Sequence, residues 1–402
     1  MPRIAILHPT DPLGHVPGGI DTIIRGLLKH APQELEYVLV GATSDVRARP
    51  VGKAIEGLFG NPSARFLPLV VADAQGRKSA IPLTARYLAS LYRFLRGEGG
   101  RDIAVFDFHR MEPLLLFRGD ARPKNMTMHQ DMEVLRQKDC DILWRHAPWM
   151  YEWLESRLFA GLDRLWCVRQ SAAERYRRVY PGLAGRTEFL PTWVDSDTFH
   201  LSSTAARQEA CRSLRTQLGI TPSTRVLTSV GRLDRQKDPI LMLESFSDLH
   251  RRRPDTHLLL IGDGDMRSQV EQAISDMELQ SSITLPGVKR PEQIADILRG
   301  SDLFVLSSAY EGMPIAVLEA LASGIPVVTT DVGEVRLVVR NGESGAVSAT
   351  RTPNALADAM DAVLGQLHAY PPAQCSKSVA AYRDKNILAR LYDNHRRQVG
   401  MA

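Results

Sequence analysis

The stretch 307–328, SSAYEGMPIAVLEALASGIPVV, leaves the chain few ways to fold. Residues 303–306 before it and 326–329 at its end are short apolar runs of the kind that fill a parallel sheet buried on both faces. Between them Gly312 loosens a turn, and Pro314 stands where a first helical residue tolerates the loss of its N–H. A helix is predicted from Pro314 to the Ser323-Gly324 pair, and Pro326 stops it. Strand, turn, helix and strand in this order leave free N–H groups near Ile315, Ala316 and Val317 at the carboxyl end of a strand. A helix start there favours an anion, and a diphosphate would suit it.

Two carboxylates flank that anion site, Glu311 in the turn and Glu319 in the helix. The helical part of their separation is roughly 7–8 Å at the usual rise per residue, and the turn adds to it. A ligand built as sugar, diphosphate and ribose would place hydroxyls at both ends, which suits Glu311 to the sugar and Glu319 to the ribose. The plainer alternative is one turn residue and one solvated helix residue.

Glu311 and Glu319 with the intervening GMPIAVL, and the following Ala-x-x-Ser-Gly-x-Pro-Val-Val, resemble the E-x7-E signature of retaining glycosyltransferase family 4. The resemblance covers nearly the whole chain, and this segment is its most specific part. It implies an α/β chain of the GT-B fold, with two Rossmann-like domains facing across a cleft and a C-terminal helix returning to the first. It also implies transfer of a hexose from GDP-mannose or a UDP-hexose to a saccharide or polyprenyl-linked acceptor, in polysaccharide or glycolipid synthesis. Gly312, Met313, Pro314, Ile315 and Ala316 would then line the donor. No metal or other cofactor is implied, since the nucleotide sugar is a substrate.

At 402 residues the chain has room for two domains with separate cores. A net charge of +4 is too mild to argue for nucleic acid. The four cysteines are scattered without metal-binding spacing, which suits a reduced, cytoplasmic protein. The amino terminus reads directly as a strand and no apolar run reaches membrane-spanning length, so neither a signal peptide nor a membrane span is expected.

Strand and helix patterns alternate along the chain. The first unit joins strand 3–8, a glycine-bearing turn and helix 22–30. Further strands are expected near 37–40, 65–71, 102–108, 125–129 and 165–168, and the first domain is taken as 1–200 with 378–402 crossing back. Residues 202–219 read as a linker. A second cycle, 201–377, has strands near 225–231, 257–262 and 283–287 before the central segment, and a basic helix is expected over 378–398.

Arg232 and Lys237, in GRLDRQKD, follow a strand and precede a helix. Cations are mildly unfavourable at a helix start unless an anion binds, and this pair is similar to the family's phosphate clamp. His129, at a strand end, is the candidate for contact with the acceptor or the sugar 6-position, with His109 as the alternative. The family places a glycine pair near the donor phosphates or reacting centre, which makes Gly18 and Gly19 candidates for close backbone approach, the alternative being a tight turn. Asp263, Gly287 and Val288 lie at strand ends where they could frame the base. Asp-x-Asp occurs at 139–141, 195–197 and 263–265, and is discounted as a metal signal because so short a pattern arises by chance. Instead the helix start with Arg232 and Lys237 would carry the leaving charge in a front-face, retaining reaction.

Residues 85–96 and 143–159 mix basic and aromatic side chains, which suits either an anionic membrane surface or a core-facing helix with a basic outer side. The family's Pro-Asn-Gly-Val-Asp is Pro191-Thr192-Trp193-Val194-Asp195 here, which puts the local backbone in question. Two rival readings are a sugar-nucleotide epimerase of similar two-domain build and a non-catalytic nucleotide-binding module.

Overall fold

A computed structural model describes residues 1–14, 19–72, 79–129 and 148–401. The chain divides into two compact units: unit 1 holds Met1–Arg136, Asp141–Pro191 and Lys385–Ala402, and unit 2 holds Thr192–Asp384 with a short excursion outside the described residues.

Unit 1 is built on β1 (Arg3–Leu7), β2 (Glu36–Thr43), β3 (Ile55–Glu56), β4 (Ala64–Val71), β5 (Ile103–Phe108), β6 (Lys124–Met128), β7 (Arg164–Cys167) and β8 (Thr187–Phe189). Their order across the sheet is β3-β4-β2-β1-β5-β6-β7-β8, parallel throughout except that β3 runs against β4. β1 and β5, in the middle, are buried on both sides, which explains why IAIL and VFDF show no polar alternation. The helix Leu83–Arg96 turns Tyr87 and Leu91 inward, and the Tyr87 hydroxyl donates to the Val40 carbonyl at 2.7 Å. This favours the core-facing alternative for that segment.

Unit 2 contains β9 (Arg225–Val230), β10 (Thr256–Ile261), β11 (Ile283–Thr284), β12 (Leu303–Leu306), β13 (Val327–Thr329) and β14 (Gly345–Val347), in the order β11-β10-β9-β12-β13-β14 and all parallel. Two large apolar clusters, with a smaller one around Leu214, Val226 and Leu259, cover the sheet. One includes Leu227, Leu243, Phe246, Leu258 and Val305, the other Val194, Phe304, Val317, Leu321 and Val327. Two α/β units, each built on a largely parallel sheet, agree with the expected GT-B fold.

The unit boundaries fall elsewhere than at 200/201 and 377/378. Thr192 donates its hydroxyl to the Met313 carbonyl at 3.0 Å, and Val194 and Phe199 lie in a unit 2 core cluster, so 192–199 belong to that unit. The expected helix over 378–398 is interrupted for a related reason. Val194 N–H bonds to the Tyr382 carbonyl at 3.0 Å and Asp384 N–H to the Val194 carbonyl at 3.1 Å, which holds Arg383 extended. The helices are therefore Pro372–Ser378 and Asp384–Gln398.

The segment read as a linker is also a helix, Thr204–Leu218. The Ser203 side chain caps its start, and Gly219 ends it at a φ of 67°. It is anchored to unit 2 by Arg215, a buried guanidinium 2.6 Å from Asp302. The last helix is tied to unit 1: the Tyr392 hydroxyl donates to the Leu27 carbonyl at 2.8 Å, and Asn125 and Gln398 exchange amide hydrogen bonds at 2.9 and 2.8 Å.

Candidate functional site

The carboxyl ends of β9 and β12 are neighbours in the sheet of unit 2, and they bring two loops together. After β9 the loop Gly231–Asp238 folds around Asp234, whose Oδ1 accepts from Lys237 N–H at 3.0 Å. Asp238, at a φ of 45°, caps the helix Pro239–Arg252 by accepting from Leu241 N–H at 3.1 Å. After β12, the Ser307 hydroxyl donates to the carbonyls of Lys237 and Asp238, and Ala309 N–H to the Gln236 carbonyl at 2.7 Å. The two loops thus form one hydrogen-bonded unit before any ligand arrives.

The expected turn and helix are present. The helix runs Ile315–Ala322, with Pro314 extended at its N-cap, and Gly324 at a φ of 83° just after its end. Val317 N–H is already bonded to the Pro314 carbonyl at 3.1 Å, so of the three donors named, Ile315 and Ala316 are those facing outward from the first turn. The turn before the helix is held from β13's side: Glu334 N–H donates to the Gly312 carbonyl at 2.9 Å. Gly333, at a φ of 52°, lies so close that a Cβ there would stand 2.0 Å from the same oxygen.

The charges are paired more tightly than spacing alone indicates. Lys237 Nζ is 2.6 Å from Glu311 Oε1, which also accepts from the Ser308 hydroxyl at 2.8 Å, and Glu311 is 9% exposed. Gln236 donates to the Tyr310 carbonyl at 3.2 Å beside the same carboxylate. Arg232 is exposed and 3.0 Å from Asp234 Oδ2, and it lines a small cavity together with Gly231, Lys237 and Ser307. Each proposed phosphate-binding cation therefore has a local acidic partner, and an incoming diphosphate would compete for it.

Glu319 is half-buried on the helix. Burial, reinforced by the like charge of Asp195 and opposed by Lys237, lifts its carboxyl from the ordinary 4.5 to about 7. Glu319 thus stands close to half-protonated at neutral pH, a state in which its hydrogen-bonding role depends on what approaches it. Asp195 and Trp193 lie in the segment that departs from the family pattern. Trp193 is buried there, and Asp195 Oδ1 accepts from Asp197 N–H at 3.1 Å.

Asp263 is exposed after β10, and its Oδ1 accepts from Gly264 N–H. Gly262 packs against the β9 loop so closely that a Cβ would meet the Gly231 carbonyl at 1.8 Å. Its N–H bonds the Gly287 carbonyl at 3.1 Å, which brings Gly287, at a φ of 71°, and the exposed Val288 to the same end of the sheet.

In unit 1, Gly19 opens the helix Gly19–Lys29, and a methyl added there would meet nothing within 4 Å. Gly18 and the Asp-x-Asp at 139–141 lie outside the described residues. His129 follows β6 and is half-buried, with its Nε2 2.9 Å from His109 Nδ1. His109 and His129 are not alternatives but one stacked pair, with ring centroids 5.2 Å apart. His8, after β1, packs edge-on against His109 and completes a group that sequence reasoning missed. The available signal was three strands each followed at once by histidine: Leu7-His8, Phe108-His109 and Met128-His129. Ser308 and Gln236 were missed too, being unremarkable until Glu311 is placed beside them.

Residues 212–368 match the family model described as glycosyl transferases group 1. That segment runs from within the helix Thr204–Leu218 to just past the helix Pro353–Gly365, and it contains Arg232, Lys237, Glu311 and Glu319. The chain is 28% identical over 199 residues to the UDP-Gal:alpha-D-GlcNAc-diphosphoundecaprenol alpha-1,3-galactosyltransferase of Escherichia coli, covering 49% of this chain and 50% of that one. It is 27% identical over 346 residues to the alpha-D-kanosaminyltransferase of Streptomyces kanamyceticus, covering 85% of each. The chain spans half or less of the length of several curated relatives it matches, 36%, 50% and 39% in three of them. Among solved structures it resembles sucrose-phosphate synthase from Thermosynechococcus elongatus with a TM-score of 0.80, 20% identity and full coverage of both chains.

Proposed function

We propose that this chain is a retaining hexosyltransferase of glycosyltransferase family 4 that uses a nucleotide-diphosphate hexose. The carrying observation is the joined pair of loops after β9 and β12, where Lys237 and Glu311 meet beside a helix start, within the stretch that matches the group 1 family model. Ile315 and Ala316 N–H, with Lys237 and Arg232, would receive the diphosphate, Glu311 the sugar, and Glu319 the ribose. Glu311 already accepts two donors on one oxygen, which fixes its orientation before the sugar hydroxyls arrive.

The leaving diphosphate's charge would be carried by these donors, so the reaction is proposed to need no metal. The leaving phosphate oxygen then takes the acceptor's proton as attack occurs on the same face, and no side chain serves as nucleophile. Unit 1 is proposed to supply acceptor contacts, led by His129, with Gly18 and Gly19 allowing close approach. The Escherichia coli relative, a transferase from UDP-Gal to an alpha-D-GlcNAc-diphosphoundecaprenol acceptor, supports a UDP-hexose donor and a polyprenyl-linked saccharide acceptor. Cytoplasmic placement with peripheral contact to an anionic membrane is part of the same proposal. Among the described residues no helix is long and apolar enough to cross a bilayer.

A thermal-shift screen of UDP-glucose, UDP-galactose, UDP-N-acetylglucosamine and GDP-mannose tests the donor site, because a ligand stabilises the state it binds. One nucleotide sugar should raise the transition of the wild type and not of E319A. Transfer to a saccharide acceptor with the anomeric configuration kept, in the presence of a chelator, completes the reading. Isomerisation of the donor without acceptor would make the protein an epimerase, and binding without any turnover would make it a nucleotide-binding module.

A further inference from the structure

β1, β5 and β6 are adjacent in the sheet of unit 1, and their ends carry His8, His109 and His129. His109 is 3% exposed, and its Nδ1 lies 2.9 Å from His129 Nε2. One proton sits between those nitrogens. Which ring owns it decides what His129 presents on its other nitrogen.

The far side of His109 settles the choice. Its Nε2 is buried and has no hydrogen-bond partner. Were His129 Nε2 the donor, neutral His109 would carry its own proton on that Nε2, as a buried N–H with no acceptor. Were His109 Nδ1 the donor, the same Nε2 would hold only a lone pair. Orphaned buried N–H groups are the rarer and costlier of the two.

Both rings are held neutral. Burial drives His129 well below the ordinary histidine range, with His109 and His8 adding to it, and burial lowers His109 against the pull of Asp107. Among the described residues Asp107 is the group that would draw a proton to the far side of His109. That carboxylate is already faced by the last helix: His395 Nε2 is 3.4 Å from Asp107 Oδ2, and the Tyr37 hydroxyl is 2.9 Å from His395 Nδ1. Neither Asp107 oxygen accepts a hydrogen bond from His109 Nε2, so that nitrogen has no acceptor for a proton.

We propose that His109 is a positioning residue that fixes the tautomer of His129, so that His129 offers an Nδ1–H donor, and not a basic lone pair, to the acceptor-side ligand. This rests on the reading of His129 as an acceptor contact. A donor there recognises an oxygen of the ligand without removing its proton, which fits a reaction whose base is the leaving phosphate.

The test is a long-range proton–nitrogen correlation spectrum of the full chain labelled with 15N-histidine, together with steady-state transfer. The wild type should show His129 protonated on Nδ1 and bare on Nε2, unchanged through the neutral range. In H109F that pattern should shift toward Nε2 protonation, and the acceptor KM should rise about tenfold with the donor KM unchanged. H109Q, whose amide can still donate, should restore both. A wild-type spectrum with the proton on Nε2 of His129, or a ring that titrates near neutrality, overturns the assignment without need of any variant. Should H109F fail to fold, the wild-type spectrum and H109Q decide. If the spectrum is as expected but H129A transfers normally, the acceptor-contact reading falls and the positioning role with it, while the donor site of unit 2 is untouched.

Discussion

Replacing Glu319 by glutamine tests the electrostatics of the proposed donor site most directly. The wild-type carboxyl is raised from 4.5 to about 7 by burial and by Asp195, so the folded chain holds this proton more tightly than the unfolded chain. Stability from this group is therefore fully present below pH 4.5 and is lost as pH climbs through 7. The full shift corresponds to about 3 kcal/mol, and because Glu319 is half-buried, solvent screening reduces the expected effect to about 1–2 kcal/mol. Glutamine fills the same space and never ionises. The thermal midpoints of wild type and E319Q should coincide near pH 4.5, and E319Q should be higher by about 3–6 °C at pH 8. Nucleotide-sugar affinity should move oppositely, with wild type gaining as Glu319 ionises to accept the ribose hydroxyls and E319Q weaker and flat with pH. D195N should pull the wild-type transition toward lower pH, since it removes the like charge. Parallel midpoint curves for wild type and E319Q would refute the reasoning, because they would mean Glu319 titrates as an ordinary carboxylate.

Lys237→Met leaves Glu311 almost buried without its ion partner, and should cost about 2 kcal/mol by thermal denaturation while abolishing detectable donor binding by calorimetry. Gly333→Ala places a Cβ against the Gly312 carbonyl at a φ of 52°, so the midpoint should fall by the equivalent of about 2 kcal/mol or more, with donor affinity falling too because that turn leads into the Pro314 helix. Trp149 and Trp153 are 72% and 55% exposed on the helix Pro148–Phe159, and W149A/W153A should co-sediment less with mixed neutral and anionic vesicles than wild type does. Wild type that stays in the supernatant removes the membrane from the list of partners.

The parts of unit 2 that could be read from the sequence are those where one local rule is sufficient. The LFVL of β12 cannot be solvated, and Pro314 and Gly324 bracket a helix of fixed length. What escaped was set by distant partners. The Lys237–Glu311 pair spans 74 positions and exists only because β9 and β12, far apart in the chain, lie side by side. The three residues of β14 carry too little pattern to announce a strand, and Gly345 is there because a Cβ would stand 1.8 Å from the Val327 carbonyl. The helix Thr204–Leu218 looked like a linker because its composition is polar. Its hold on unit 2 comes from the buried Arg215, a residue type usually assigned to the surface. The histidines failed for a different reason: each was visible, but only parallel pairing of β1, β5 and β6 shows that they are neighbours.

The short parallel contact of Val194 with Tyr382, Arg383 and Asp384 joins the two ends of the stretch 192–384 of unit 2. A domain whose two ends are stitched together is topologically an insert: it closes on itself, and the chain on either side sees it as a single bead on a loop. Residues 192–384 should consequently be excisable as a free-standing unit carrying the proposed donor site, or be re-opened at another surface turn with the old ends fused, without unthreading either sheet.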